Sequence, residues 1–517
     1  MFLNPSDGKS FRHISCCFKH GIAIVCVEIA PVKIGTGSFI MNSLKRILSS
    51  KYAWQSGFAV RRFLIPAISM VFTVCNCVYS QPVVKWWITS RDMKNKLSPQ
   101  ADAVFASVPD SSRPVIIIDE NKTYQTIVGL GSSFEHSTCY NISLLPAARR
   151  EKVIESIVDK DKGIGMNLMR ICLGTADFTA SPWYSYDDPP GARPDPQLKY
   201  FSIEKDREYV LPILKLAQKI NPELKFFASP WSPPGWMKTN KSMCGGKINP
   251  EFYRPFAEYL AKSVEAYREE GLDIIAITPQ NEPEYFPDTY PTCGWTAGQQ
   301  RDFIRDHLGP VFAGRNLPAK IWCYDHNFNH PNFPETILKD PEAAKYVDGT
   351  GFHLYEGKPS AMTWLHEKFP DKHVYFTEGS VFGISGAARI VSYLRNWARC
   401  YNAWVTVIDH RARPNPGPHG CSPTCIVLNS ETLELQYRLD YYIYGQFMKY
   451  INRGAVRVDS TSSKKLPNVA FKNPDGSIVL IAVNPGRKTQ KLSVRFKDRQ
   501  LETQLDAESV ATLTWKP

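Results

Sequence analysis

The sequence predicts an α/β protein: a parallel (β/α)8 TIM barrel fused to a small antiparallel β-sandwich domain. Three observations carry that expectation. Two short apolar runs, Ile274-Ile275-Ala276-Ile277-Thr278 and Val374-Tyr375-Phe376-Thr377, each break off into a polar stretch that holds a glutamate. From Gln125 onward, strand-like runs alternate with amphipathic helical ones, as in a parallel βα array. From Pro467 the texture changes to alternating strands punctuated by turns.

The barrel strands are predicted at Thr126–Phe134, Leu168–Leu173, Lys225–Ser229, Ile274–Thr278, Lys320–Tyr324, Gly349–Leu354, Val374–Thr377 and Ala403–Ile408. Between them, stretches such as Glu208–Lys219 and Phe252–Glu270 repeat apolar residues at spacings of three and four, the period of a helix with one buried face. Eight βα units in about 320 residues suit a barrel with insertions. The barrel is assigned to residues 123–435 and the β-sandwich to 436–517. In the latter, Pro474-Asp475-Gly476 between apolar runs is a hairpin turn. Two early strands within 81–122, Val83–Thr89 and Pro114–Asp119, come too early for barrel units and are assigned to the β-domain.

The N-terminus reads differently. Arg61-Arg62 followed by the apolar run Phe63–Val74 and the small residue Ser80 has the form of a signal peptide over 61–80, so the protein is expected to be secreted or exported. The run is too short to span a bilayer comfortably, and a signal anchor is the alternative to a cleaved peptide; at most peripheral membrane contact is expected of the protein. Residues 1–60 resemble neither domain nor linker. Residues 1–80 also distort the charge: of the formal +12, they hold +7, with nine Lys or Arg against two acids, leaving +5 for the rest. No basic, aromatic-interleaved patch stands out, so no nucleic acid is expected as a partner.

Of 13 cysteines, eight follow Ser80. They show no CxxC or Cys/His ligand spacing, so zinc is not suggested; no metal and no cofactor is expected. Cys244 and Cys293 each follow a barrel strand and are candidates for a disulfide across the mouth. Asn121, Asn141 and Asn240 head glycosylation sequons.

The chemistry is read at the strand ends, because catalytic groups of a parallel barrel sit at its C-terminal mouth. Strand four ends in Gln280-Asn281-Glu282-Pro283 and strand seven in Glu378-Gly379. Two carboxylates across one cleft are what a glycosidase requires: one protonates the leaving oxygen, and the other attacks or activates water. A single such glutamate is more simply a helix cap; the pair, in this setting, is not. Strand two adds Arg170 and Asp177, strand three Ser229-Pro230-Trp231, and strand six His353 and Tyr355. No Gly-x-Ser-x-Gly elbow stands beside a strand, which argues against a serine hydrolase.

With these residues in view, the chain resembles glycoside hydrolase family 30, the group that includes glucosylceramidase. The resemblance spans about Gln125 to Trp515. It is carried by Gly-Leu-Gly-Ser-Ser-Phe at 129–134, Ala-Ser-Pro-Trp-Ser-Pro-Pro-Gly-Trp-Met-Lys-Thr-Asn at 228–240, Gln-Asn-Glu-Pro, Phe-Thr-Glu-Gly and Tyr-Gly-Gln-Phe-Met-Lys-Tyr-Ile at 444–451. It implies a metal-independent retaining mechanism with Glu282 as acid/base and Glu378 as nucleophile. It further implies that Asn281 holds the sugar 2-hydroxyl, that Arg170 and Tyr355 brace the nucleophile, and that Asp177, Trp231 and His353 line the pocket. The implied substrate is a β-glucoside, a glycolipid such as glucosylceramide, or a β-glucan. An endo-β-1,6-glucanase or β-xylosidase is the alternative, with a non-catalytic carbohydrate-binding relative behind it. The chain departs from the glucosylceramidase pattern at strand eight. The positions expected to carry a Trp-Asn pair hold Val407 and Ile408, so either Asp409 and His410 take over that sugar contact or the pocket accepts another sugar or linkage.

Overall fold

The structure is a computed structural model of the chain, and it describes residues 15–19, 22–26, 83–107, 116–418 and 425–517. Ser15–Lys19 and Ile22–Cys26 form an antiparallel pair in a unit of their own, residues 1–78. The signal peptide expected at 61–80 lies outside the described residues, as does most of the extension before it. No helix among the described residues is long and apolar enough to cross a membrane.

The rest of the chain is built on eight parallel strands: Gly129–Gly131, Leu168–Cys172, Lys225–Ser229, Ile274–Ile277, Lys320–Asn327, Val347–His353, His373–Glu378 and Ala398–Asn402. We number these one to eight. Neighbours pair in sequence order, strand eight pairs with strand one, and a Ser133–Arg170 bridge links strand one to strand two to close the barrel. Strand one is only three residues long because it runs tight against strand two. A Cβ added at Gly131 would sit 2.0 Å from the Leu168 carbonyl oxygen, so the Gly-Leu-Gly pattern is a packing requirement.

The predicted barrel is the barrel found, with one register corrected. Ala403–Ile408 is not strand eight; Ala398–Asn402 is, five residues earlier. The β-branched run Val405–Ile408 has the stronger strand composition, whereas Ala398-Arg399-Cys400-Tyr401-Asn402 carries two polar residues. Tertiary contacts satisfy both. Arg399 donates to the Thr126 carbonyl (2.8 Å), and the buried Asn402 amide donates to the carbonyls of Ser132 and Leu168 (3.1 and 2.6 Å). Val407–Asp409 instead joins Ile426–Leu428 and Leu435–Tyr437 in a three-stranded sheet beyond the mouth.

The strands of the β-domain form one continuous hydrogen-bonded array. Val83–Ser90 pairs with Ser509–Trp515, and the long strand Ile116–Thr126 lies between Val456–Ser460 and Gln490–Phe496. Its strand Ile478–Asn484 is buried along its whole length because each face has a different partner. Ile478, Leu480 and Ala482 enter the β-domain core, while Val479, Ile481 and Val483 pack into the core shared with the barrel. The two-sided burial ties the β-domain to the barrel. At the expected hairpin, Gly476 takes φ of 80° and donates to the Asn473 carbonyl.

Two other expectations are corrected. Cys244 and Cys293 are both free thiols and form no disulfide. Asn141 is buried, its amide donating to the carbonyls of Ser137 (2.9 Å) and Arg413 (3.0 Å), so that sequon is closed to a glycan; Asn121 and Asn240 are exposed.

Candidate active site

The carboxylates at the ends of strands four and seven face one another. Oxygens of Glu282 and Glu378 and a ring nitrogen of His353 lie within 4.8 Å of each other. Glu282 sits at φ 48°, a left-handed conformation rarely adopted by a side-chain-bearing residue. Hydrogen bonds hold it there: its N–H donates to the Asp325 carbonyl and the Asn281 N–H to that of Pro230. After Glu378 the chain turns at Gly379, φ 140°, where a Cβ would lie 2.3 Å from the Leu354 side chain. Only glycine lets strand seven end there with its glutamate aimed inward.

Arg170, with no exposed surface, braces Glu378 from below. One guanidinium nitrogen donates to Glu378 Oε2, and Nη2 donates to Asp325 Oδ2 (2.8 Å), Asn281 Oδ1 (2.9 Å) and Ser229 Oγ (3.0 Å). From above, the Tyr355 hydroxyl donates to Glu378 Oε1 at 2.7 Å. Both Glu378 oxygens are thereby fixed.

The hub of this network is Asp325, which the sequence reading missed. Its Oδ1 accepts from Thr377 (2.6 Å) and His353 Nε2 (3.0 Å), and its Oδ2 from Arg170, Ser229 (3.0 Å) and Thr278 (2.7 Å). Burial alone would raise its pKa, but the charges of Arg170 and His353 overcome that and hold it well below the usual carboxylate range. Strand five, predicted to stop at Tyr324, runs on to Asn327 through a bulge. Tyr324 and Asp325 take φ of 70° and 67°, and the register shifts between Tyr324 and His326. The bulge re-aims consecutive side chains at the mouth. The signal was present: Tyr324-Asp325-His326-Asn327 is a polar stretch after an apolar strand, like Gln280–Glu282.

His353 joins the two carboxylate systems. Nδ1 lies 3.0 Å from Glu282 Oε1 and Nε2 3.0 Å from Asp325 Oδ1. Burial would depress its pKa, yet the carboxylates of Glu378 and Asp325 raise it to about 9. At neutral pH the ring is an imidazolium and both nitrogens donate. With no lone pair to offer, it is a poor metal ligand despite the Glu282–His353–Glu378 cluster.

The walls complete the site. Trp231 stacks on Trp404, centroids 4.9 Å apart at 21°, and the Arg170 guanidinium lies over both rings. Trp404 lies two residues past the end of the true strand eight. The cavity, about 510 Å³, is lined by Asp177, Trp231, Asn281, Glu282, Tyr355, Glu378 and Trp404 among others. Burial, then the charges of Glu378 and Glu282, push the Asp177 carboxyl up to about 8, so it holds a proton at neutral pH; its Oδ1 has no partner among the described residues.

Eight of the nine predicted site residues thus come together. Asp409 does not. Its Oδ1 accepts the N–H groups of Arg411 (2.7 Å) and Arg413 (2.8 Å), and its Oδ2 accepts from Ser430 (2.7 Å): it shapes a turn outside the cavity. Ile408 packs in the apolar cluster behind Trp231 and Trp404. Glu135, in the strand-one motif, is a helix cap, accepting from the Thr138 N–H at 2.7 Å.

Residues 127–413 match the Glycosyl hydrolase family 30 TIM-barrel domain, and residues 454–513 the Glycosyl hydrolase family 30 beta sandwich domain. The chain belongs to glycoside hydrolase family 30. This family-30 enzyme is 31% identical to the Endo-1,6-beta-D-glucanase of Neurospora crassa over 77% of its own length and 88% of that protein's. It is 30% identical to the Lysosomal acid glucosylceramidase of Mus musculus, covering 78% of this chain and 83% of that one. Among solved structures, the endo-beta1,6-glucanase BT3312 superimposes with a TM-score of 0.77 at 28% identity, over 84% of this chain and 99% of that one. The family-30 enzyme is therefore a glycoside hydrolase.

Proposed function

We propose that this hydrolase cleaves β-glucosidic bonds by retaining double displacement, with Glu378 as nucleophile and Glu282 as acid/base. The observation that carries the reading is the approach of their oxygens within 4.8 Å. Retaining enzymes hold the pair about 5–5.5 Å apart, whereas inverting ones need about 6.5–9.5 Å to admit a water.

In the first step a Glu378 oxygen bonds to the anomeric carbon as the glycosidic C–O bond breaks, and protonated Glu282 gives its proton to the leaving oxygen. In the second, Glu282 takes a proton from water, the water oxygen bonds to the same carbon, and Glu378 departs. Each residue ends as it began. Asn281 has its Oδ1 committed to Arg170, which leaves its amide N–H groups to donate to the sugar 2-hydroxyl. Trp231 and Trp404 offer the ring an apolar wall, and protonated Asp177 can donate to an outer hydroxyl. The exported location follows from the signal-like run at 61–80 alone.

The direct test is trapping with a 2-deoxy-2-fluoro β-glucosyl fluoride and mapping the label by mass spectrometry. A label on Glu378 is expected; a label on another residue, or an inverted anomer appearing first by NMR, overturns the mechanism.

A further inference from the structure

One polar group in the cavity has no task in the chemistry above. His326 is 6% exposed, lines the cavity, and its Nδ1 has no hydrogen-bond partner among the described residues. A buried polar atom left unpaired is costly, so such an atom facing a cleft is a place for a ligand group. The backbone is strained to put it there, through the left-handed residues Tyr324 and Asp325 that precede it.

The ring stands between two glutamates. Its Nε2 is 3.9 Å from Glu282 Oε1, on the inner side, and its Nδ1 is 3.9 Å from Glu284 Oε2, on the outer side. Both separations are too long for a direct hydrogen bond and leave room for a hydroxyl bonded to His326 and Glu284 at once. Glu284 is itself fixed, at 3.0 Å from His330 Nδ1 and 3.2 Å from the Tyr324 hydroxyl. Burial and the neighbouring His353 charge depress His326 to about 3, so the ring is neutral and offers one donor and one acceptor. His326 thus stands beside Glu282, the carboxyl that gives its proton to the leaving oxygen, so the His326–Glu284 side belongs to the group that leaves.

We propose that His326 and Glu284 form a leaving-side subsite that grips a hydroxyl of a second sugar, so that the preferred aglycone is a sugar unit rather than a lipid. The proposal rests on the retaining β-glucosidase reading. The rim agrees with it. Tyr285 and Phe382 present exposed ring faces, 44% and 38%, on which a sugar can stack. The carboxylates of Glu284 and Glu356 line the same cavity, and an acyl chain laid over them would strip water from charged groups that it cannot hydrogen-bond.

The test uses the purified full chain with 4-nitrophenyl β-glucoside, gentiobiose (two β-1,6-linked glucoses) and glucosylceramide. The wild type is expected to cleave gentiobiose with a kcat/KM at least tenfold above that for glucosylceramide. Glu284→Ala and His326→Phe are each expected to lower the gentiobiose to aryl-glucoside ratio of kcat/KM at least tenfold. His326→Asn, which keeps a donor near Nδ1, should hold that ratio within about threefold of wild type. A ratio within twofold of wild type in Glu284→Ala, whose rim position spares the core, overturns the proposal even if His326→Phe fails to fold. So does a wild type that prefers glucosylceramide. A wild type inert on the aryl β-glucoside overturns the glucosidase reading itself, and that outcome is seen before any variant is made.

Discussion

Arg170 and Asp325 meet at 2.8 Å inside the barrel with no exposed surface on either side chain. They come from strands two and five, and together they position Glu378, Asn281 and His353. Removing one member of such a pair leaves an unpaired charge in a dry interior, which costs far more than the pair itself contributes. Asp325→Ala is therefore expected to destabilise the protein by about 3–5 kcal/mol, read from urea unfolding, and to lower kcat at least 100-fold. A loss under about 1 kcal/mol would show that water or a shifted side chain replaces the carboxylate.

His353 links stability to pH. Its folded pKa, about 9, lies above the ordinary 6.5. A raised histidine stabilises the fold fully below about pH 6.5, and that contribution fades as the pH climbs through about 9. Its size is on the order of 3 kcal/mol. The wild type minus His353→Gln difference in unfolding free energy should thus shrink steadily from pH 6.5 to 9.5. A difference independent of pH contradicts a charged His353.

Glu282→Ala should separate substrates by leaving group. General-acid catalysis contributes about 10²–10⁴-fold where the leaving oxygen needs a proton. Gentiobiose, a poor leaving group, should lose that much, while 4-nitrophenyl β-glucoside should lose far less in its first step. Equal losses on both would remove Glu282 from the acid role.

Trp404 and Asp409 make a contrasting pair five residues apart. Trp404→Ala deletes half of the Trp231–Trp404 stack on the cavity wall, so kcat/KM should fall at least tenfold through KM. Asp409→Ala strips acceptors from Arg411, Arg413 and Ser430 outside the cavity, so it should cost about 1–2 kcal/mol of stability, as loss of a backbone cap does, with kcat/KM changed less than threefold. The reverse pattern would put the strand-eight contact back on Asp409.

What the sequence by itself determined about this protein was whatever is encoded locally. An apolar strand that breaks into Gln280-Asn281-Glu282 or into Glu378-Gly379 announces both its own end and the group it delivers. The Pro-Asp-Gly turn and the helical spacing of Phe252–Glu270 are likewise properties of a few consecutive residues. The barrel, and both glutamates at its mouth, could therefore be read from the chain. Only the tertiary structure decided the rest, because the deciding partners are remote in sequence. Strand eight lies at Ala398–Asn402 because Asn402 finds carbonyls at Ser132 and Leu168, against the stronger strand composition that follows it. That register puts Trp404 in the cavity and moves Asp409 out of it. Asp325 becomes the hub through residues on strands two, three, six and seven and just after strand four, and a bulge in strand five turns His326 inward beside it. Local propensity places a residue on a strand; closing the barrel decides which strand ends meet, and so which charges must be paired.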